Sequence, residues 1–422
     1  MNKTIIMLKV SIRLIAAVLA IGAGSPAYCT SGDDAKGLTW IVMNEKFGFI
    51  NVLGKMVIPP KYEAFRDGGF AQNGLALVYE NKKWVYINTM GKTVISPKFE
   101  DVYSFSSNGL ARIRENGKYG YINAKGETVI PPRFEYAEDF ATNGLAQIKE
   151  NEKWGYININ GETVISPKFE AVGDFASNGL AQIKENRKWG YININGETVI
   201  PPKFEYAGDF ASNGLAQIKE NKKWGYINTI GETVIPPIFD EAGDFADNGL
   251  ASVQKKEKFG YINVKGKMVI PARFELADSF TVNDIAQIIE KGKIGYINAK
   301  GKIVIPPRFD VADKFSVNGL ARIVENGKVG YINAKGKIVI PPKFESFREG
   351  GDFATNGLAL VNNNGKWGYI NAKGQTVVYQ EKICGFDVLK NAHGKIIWPQ
   401  KTPDQICNRN SSQENPTEEA AE

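Results

Sequence analysis

The nearest thing to a chemical motif in this chain is a recurring tryptophan, followed by glycine and then tyrosine. Trp84, Trp154, Trp189, Trp224 and Trp367 hold the position, with Phe47, Tyr119 and Phe259 as substitutes. An exposed ladder of aromatic faces would suit sugar rings or cell-wall polymer. Packing between neighbouring copies would use the same residues, because aromatic pairs across strands stabilise sheets. Ile294 and Val329 stand in the same slot. A sugar platform needs a flat π face, whereas a packed position needs only apolar volume, so these two residues favour packing. The following tyrosines, Tyr121, Tyr156, Tyr191 and their repeats, read as packing residues with hydroxyls free to reach a partner.

Charged rows come next. Lys98, Arg133, Lys168, Lys203, Arg273, Arg308 and Lys343 follow a proline, and an acid lies two residues after each, such as Glu100, Glu135 and Glu170. Two residues apart on an extended segment means one face. A stripe of this kind would grip a charged polymer or form a solvated ladder of ion pairs between copies, and the second reading suits solubility and register better. Glu135 with Asp139, and Glu205 with Asp209, offer half of a calcium site but lack the Asp-x-Asp-x-Asp-Gly loop around them.

The catalytic inventory is thin. His393 is the only histidine, too few for a triad or a metal cluster. No Gly-x-Ser-x-Gly elbow and no phosphate-cradling glycine loop is present. Carboxylate pairs abound, but they recur in every copy, whereas an active site is built once. The expectation is no enzyme, no cofactor and no metal.

The elements that must position these residues follow from the repeat. The glycine after the aromatic recurs at Gly120, Gly155, Gly190, Gly225, Gly260, Gly295 and Gly330, a period of 35 residues. Gly48 and Gly368 extend the series and Val85 replaces the glycine once, which makes ten units. Each unit predicts three strands, for example Leu145 to Glu150, Trp154 to Asn158 and Thr163 to Pro167. Asn116-Gly117 and Asn151-Glu152 read as tight hairpin turns. Asn160-Gly161 reads as a second turn, and the proline pair, as at Pro131-Pro132, as the end of the third strand. Glycines and prolines leave no helical run of useful length.

Composition agrees. The 422 residues are 43% hydrophobic and 23% charged, with 44 glycines and 11% aromatics. Net charge is +6, and removing Lys3, Lys9 and Arg13 leaves about +3 with the signs alternating. No single-faced basic block appears, which argues against a nucleic-acid partner. Residues 1–27 read as a signal peptide: a basic start, a short apolar run and small residues at Ser25 and Ala27. The expected location is therefore exported, whether periplasmic, secreted or cell-surface associated, with no integral membrane segment once the signal is removed. An exported chain is disulfide-permissive, and Cys384 and Cys407 are the candidate pair, leaving Cys29 over.

Lys-Trp-Gly-Tyr-Ile-Asn, Gly-x-x-Val-Ile-Pro-Pro-x-Phe-Glu and Asp-Phe-x-x-Asn-Gly-Leu-Ala together resemble the WG (or KWG) repeat of bacterial proteins. The resemblance covers residues 37–378. It implies architecture and carries no catalytic residues. A 35-residue unit buries too little apolar surface to stand alone, so neighbours must share a core. Two all-β arrangements fit: an open solenoid or superhelix of hairpins, and a closed propeller-like array. The atypical end units favour the open form. Residues 379–407 read as a degenerate capping unit and 408–422 as a disordered tail. The expected function is a non-catalytic module presenting a repeated surface to protein or to cell-wall polysaccharide. A structural spacer without a ligand is the alternative, and an envelope-polymer hydrolase the third.

Overall fold

The computed structural model describes residues 37–407, apart from 282, 317 and 346–350. The signal-peptide, Cys29 and tail expectations lie outside these residues. Among the described residues the chain is all β except for one short helix, Pro403–Cys407, and no helix is long and apolar enough to cross a membrane.

Unit 5 shows the pattern. A two-residue lead strand, Ala171–Val172, pairs with Leu180–Glu185, which pairs with Lys188–Asn193, which pairs with Thr198–Phe204, all antiparallel and in sequence order. The lead strand is an element the sequence reading missed. It is too short to carry a periodic signal.

The third long strand also departs from expectation. It runs through the prolines to the phenylalanine, as in Thr163–Phe169, instead of ending at them. It lies at the edge of its sheet, so one side needs no donors. On the paired side, the register slips between Trp154↔Phe169 and Tyr156↔Ile165, and the proline falls in that bulge.

The bulge explains the glycine after tryptophan. A Cβ on Gly190 would lie 2.4 Å from the Ile200 carbonyl oxygen and 2.6 Å from the Pro202 nitrogen, both backbone atoms that cannot swing aside. Unit 2, with Val85 in that place, supplies the comparison. Its third strand stops after Thr93–Ile95, and the Trp84 to Phe99 pairing is lost.

The core lies between units rather than within them. Leu180, Tyr191, Ile200 and Phe204 of unit 5 pack with Ala207, Phe210, Ala216, Ile218 and Ile227 of unit 6. The same residue slots recur at each consecutive junction, for example from unit 3 to unit 4 and from unit 8 to unit 9. Every junction except that from unit 1, where Phe49 takes the tyrosine slot, also carries a fixed hydrogen bond. Tyr191 donates its hydroxyl to the Gly208 carbonyl at 2.6 Å, and Tyr156 to that of Gly173 at 2.6 Å.

The all-β tandem repeat is as the sequence implied, and of the two arrangements left open the contacts select the closed one. Leu358, Tyr369 and Val378 of unit 10 cluster with Ile41 and Ile50 of unit 1, the slots of Ile218 and Ile227. Tyr369 donates to the Trp40 carbonyl at 2.7 Å. The second-turn glycine of each unit sits against the third strand of the unit before, as Gly231 does on Ile200, and Gly54 sits in this way on Val378. Head-to-tail interfaces form a ring when their rotation closes, and here it does. The atypical ends do not mark an open stack. They meet.

Candidate functional site

The aromatic slot occupies the start of the second long strand, beside the hairpin turn. Trp84, Trp154, Trp189, Trp224 and Trp367 are all half-buried. Trp154 lies directly across from Lys149 on one side and from Phe169 on the other. The lysine ammonium stands over the indole at 6.0 Å, and its equivalents Lys184 and Lys219 stand over Trp189 and Trp224 at 5.5 and 5.2 Å. Trp84 is covered instead by the Arg66 guanidinium, 4.4 Å from the ring centre. Each such contact contributes about 0.5–1 kcal/mol at a partly exposed site.

Some of these rings are linked across unit boundaries by a residue the sequence reading did not single out. Tyr136, opening the lead strand of unit 4, stands 5.2 Å from Tyr119 and 5.6 Å from Trp154. Tyr206 does the same between Trp189 at 6.4 Å and Trp224 at 5.1 Å, and is 40% exposed. The belt breaks where Ala171 takes the tyrosine slot, and Glu241, Leu276 and Val311 take it later. The tyrosine-linked rings of units 3 to 6 therefore form two runs, Tyr119–Tyr136–Trp154 and Trp189–Tyr206–Trp224. Their signal in the sequence was a tyrosine two residues after the Pro-x-Phe, present in only some copies.

The recurring tyrosines are buried and their hydroxyls are committed to the next unit's backbone. Burial pushes the Tyr191 and Tyr226 hydroxyls well above their ordinary range. They are not free to meet a partner.

The charge rows also resolve differently from the ion-pair ladder. Glu135 accepts the backbone N–H of Glu152 at 3.1 Å, and Glu170 that of Arg187 at 3.1 Å. These acids cap the next hairpin turn along the chain, where Asn151 and Glu152 both adopt positive φ. The backbone N–H of Glu152, then that of Asn151, holds the Glu135 carboxyl below its usual range. The preceding bases lie over the adjacent ring, as Arg133 over Phe134 at 4.8 Å and Lys203 over Phe204 at 5.0 Å. A backbone turn and an adjacent ring satisfy these groups, so they do not form the expected ladder of ion pairs with one another. Glu135 and Asp139 do not converge. Asp139 lies 3.5 Å from Arg112 Nε, away from the turn.

A second carboxylate row accompanies the lead strands. Gln147, Gln182 and Gln217 donate to Asp174, Asp209 and Asp244 of the following unit at 2.7–2.8 Å. Burial, then the Asp244 and Asp174 charges, raises the Asp209 carboxyl. Burial together with Asp313 raises Asp352 to about 6.

Cys384 and Cys407 are joined in a disulfide with Cα atoms 5.3 Å apart. Cys384 sits in the turn between Thr376–Ile383 and Phe386–Asn391, the strands that extend the last sheet. Leu389 of that hairpin and Trp398 beyond it pack against the first unit.

The family described as WG containing repeat matches nine consecutive windows, residues 47–84, 86–119, 119–154, 154–189, 189–224, 224–259, 259–293, 294–328 and 330–367. No curated protein matches the chain. Among solved structures the chain is similar to a eukaryotic initiation factor, at TM-score 0.46 and 11% identity over 71% of this chain and 94% of that one. It is also similar to BamB from Moraxella catarrhalis, at TM-score 0.29 and 12% identity over 83% and 95%. Hsv2 of Kluyveromyces lactis gives TM-score 0.32 and 9% identity over 59% and 94%.

Proposed function

This chain belongs to the WG-containing repeat family, and from that premise we propose that it is a non-catalytic binding ring that works outside the cytoplasm and presents its repeated exterior to a protein or a glycan. One observation carries the reading: Trp84, Trp154, Trp189, Trp224 and Trp367 all stay half-exposed, whereas the tyrosine two residues after each is buried. A residue needed only for packing gains most from full burial. Rings left open at one face, backed by lysines, are suited to contact. A spacer is the weaker alternative, because closing the array discards the length an open stack would have reached. Export rests on the N-terminal sequence pattern and on the disulfide, which suits an oxidising compartment.

The test uses the purified full-length protein against insoluble peptidoglycan, soluble polysaccharides and envelope protein extracts. The variant Trp154→Phe/Trp189→Phe/Trp224→Phe keeps apolar volume but removes the indoles. Binding should fall about tenfold with the melting temperature little changed. Equal loss of folding and binding would return these residues to a packing role. No binding to any of the three would leave the spacer reading.

A further inference from the structure

The second turn of each unit has one geometry throughout the ring. An asparagine side chain caps it, accepting backbone N–H groups two and four residues on, as Asn263 does from Lys265 and Lys267. The side chains at those two positions are therefore presented alike by every unit. Because each turn glycine touches the third strand of the unit before, and Gly54 touches Val378 across the junction of the ends, these turns form one unbroken circle.

Charge is segregated around that circle. In units 3 to 6 the fourth turn position is acidic, and the acid bonds to its own capping asparagine, as Glu162 to Asn158 at 2.7 Å. In units 7 to 9 both positions are lysine: Lys265 and Lys267, Lys300 and Lys302, Lys335 and Lys337. Lys373 follows in unit 10. All seven are exposed, and among the described residues none lies in an ion pair. On the opposite edge some of the lysines are neutralised, as Lys328 by Glu345 and Lys293 by Asp310. The basic arc then crosses the junction of the ends into units 1 and 2. There Lys55 and Lys92 keep the charge, but the first presented side chains are Leu53 and Met90. They are 83% and 77% exposed, the most solvent-open large apolar residues of the ring.

We infer that this arc is a docking surface for an anionic lipid bilayer. The lysines attract acidic headgroups, and Leu53 and Met90 enter the interface. Charge complementarity with two protruding apolar side chains beside it fits a membrane surface better than a soluble polyanion, which offers nothing for leucine or methionine to enter. The acidic arc would be repelled, so the ring would stand tilted on its basic side. This inference is independent of the aromatic belt, which lies at the other end of the strands.

The experiment is flotation of the full-length protein with vesicles of phosphatidylcholine alone, or of phosphatidylcholine and phosphatidylglycerol in equal parts. Binding is expected only to the anionic vesicles and should weaken with added salt. Lys300→Glu/Lys302→Glu/Lys335→Glu/Lys337→Glu should lower partitioning at least about tenfold. Lys153→Glu/Lys188→Glu on the opposite edge should change it less than about twofold. Leu53→Ser/Met90→Ser should lower it about tenfold with net charge unchanged. Should the quadruple variant fail to fold by circular dichroism, Lys300→Gln/Lys335→Gln replaces it, with a smaller loss expected. Equal binding to neutral vesicles, or equal loss from both edges, overturns the inference. So does retention of heparin or polyphosphate without vesicle binding, which would assign the arc to a soluble polyanion.

Discussion

The junction between units 5 and 6 and the junction between units 10 and 1 use the same grammar with different words. At the first, the lead strand Tyr206–Phe210 supplies Ala207 and Phe210 to the shared core, and Tyr191 stacks on Phe210 with ring centres 4.8 Å apart. At the second, no lead strand stands ahead of Leu38 among the described residues. Trp40 meets Tyr369 edge-on at 6.4 Å, and Leu389 and Trp398 from beyond the last repeat cover the remaining gap. Gln380 adds a bond to the Val42 carbonyl at 2.6 Å. A repeat array can thus close without exchanging a strand, provided that apolar residues from elsewhere fill the missing strand's place. The closing junction is assembled from chain ends far apart in sequence, so it carries the largest loop-closure cost and is the one expected to open first.

Substitutions can break that comparison. Tyr369→Ala and Tyr191→Ala each empty a buried ring and should each cost about 4 kcal/mol in local stability. Only Tyr369→Ala should enlarge the molecule, which a rise in the radius of gyration by small-angle scattering would show. An equal rise for Tyr191→Ala would remove the distinction between the junctions. Replacing the disulfide with Cys384→Ser/Cys407→Ser frees the hairpin that carries Leu389 and should cost about 3 kcal/mol. Hydrogen exchange should then speed up in residues 38–51 and leave units 4 to 7 unchanged.

Gly190→Val imposes the unit 2 condition on a regular unit. It should cost about 2–3 kcal/mol and shorten the third strand to end near Ile200, seen as lost amide protection from Lys203 to Phe204. Full protection there would refute the close-approach account of the glycine.

Acid sharpens the contrast between junctions. Glu381, bonded to Lys366 and Lys390 beside the closing junction, has its carboxyl held down to about 2 from the ordinary 4.5. The folded value is lower than the unfolded one, so its stabilisation is present above about 4.5 and is lost as pH falls toward 2. Asp209 and Asp244 are raised, chiefly by burial, so their junctions gain as pH falls past their folded values toward the unfolded one. Protection factors measured at mildly acidic and strongly acidic pH should fall around Val42 and hold or rise around Asp209. The smallest expected effect is favourable. Glu152→Gly relieves a non-glycine residue at φ 61° and should add about 0.5–1 kcal/mol, read as a higher melting temperature.

Most of the repeat was legible because its signals are local. Hairpin turns announce themselves through Asn116-Gly117, and strands through alternation. The proline pair misled because proline's usual strand-ending role assumes a donor is needed, and at an edge bulge none is. The acid row misled because Glu135 has two groups within reach, a base in the neighbouring unit or the backbone of the next hairpin turn. Only the fold shows which is nearer. The aromatic slot was readable as aromatic, but its links from unit to unit run through Tyr136 and Tyr206, which only the fold places beside it.

The sequence by itself determined the thirty-five-residue period, the strands and turns within it, and the need for units to lean on one another, since these follow from side-chain alternation, glycine placement and apolar volume inside a single copy. Tertiary structure alone decided that the array closes. Closure depends on the small rotation each unit adds to the last, summed around the molecule, and no single unit contains that sum. It also decided that lysines and acids evenly mixed along the chain would gather on opposite arcs of one circle of turns.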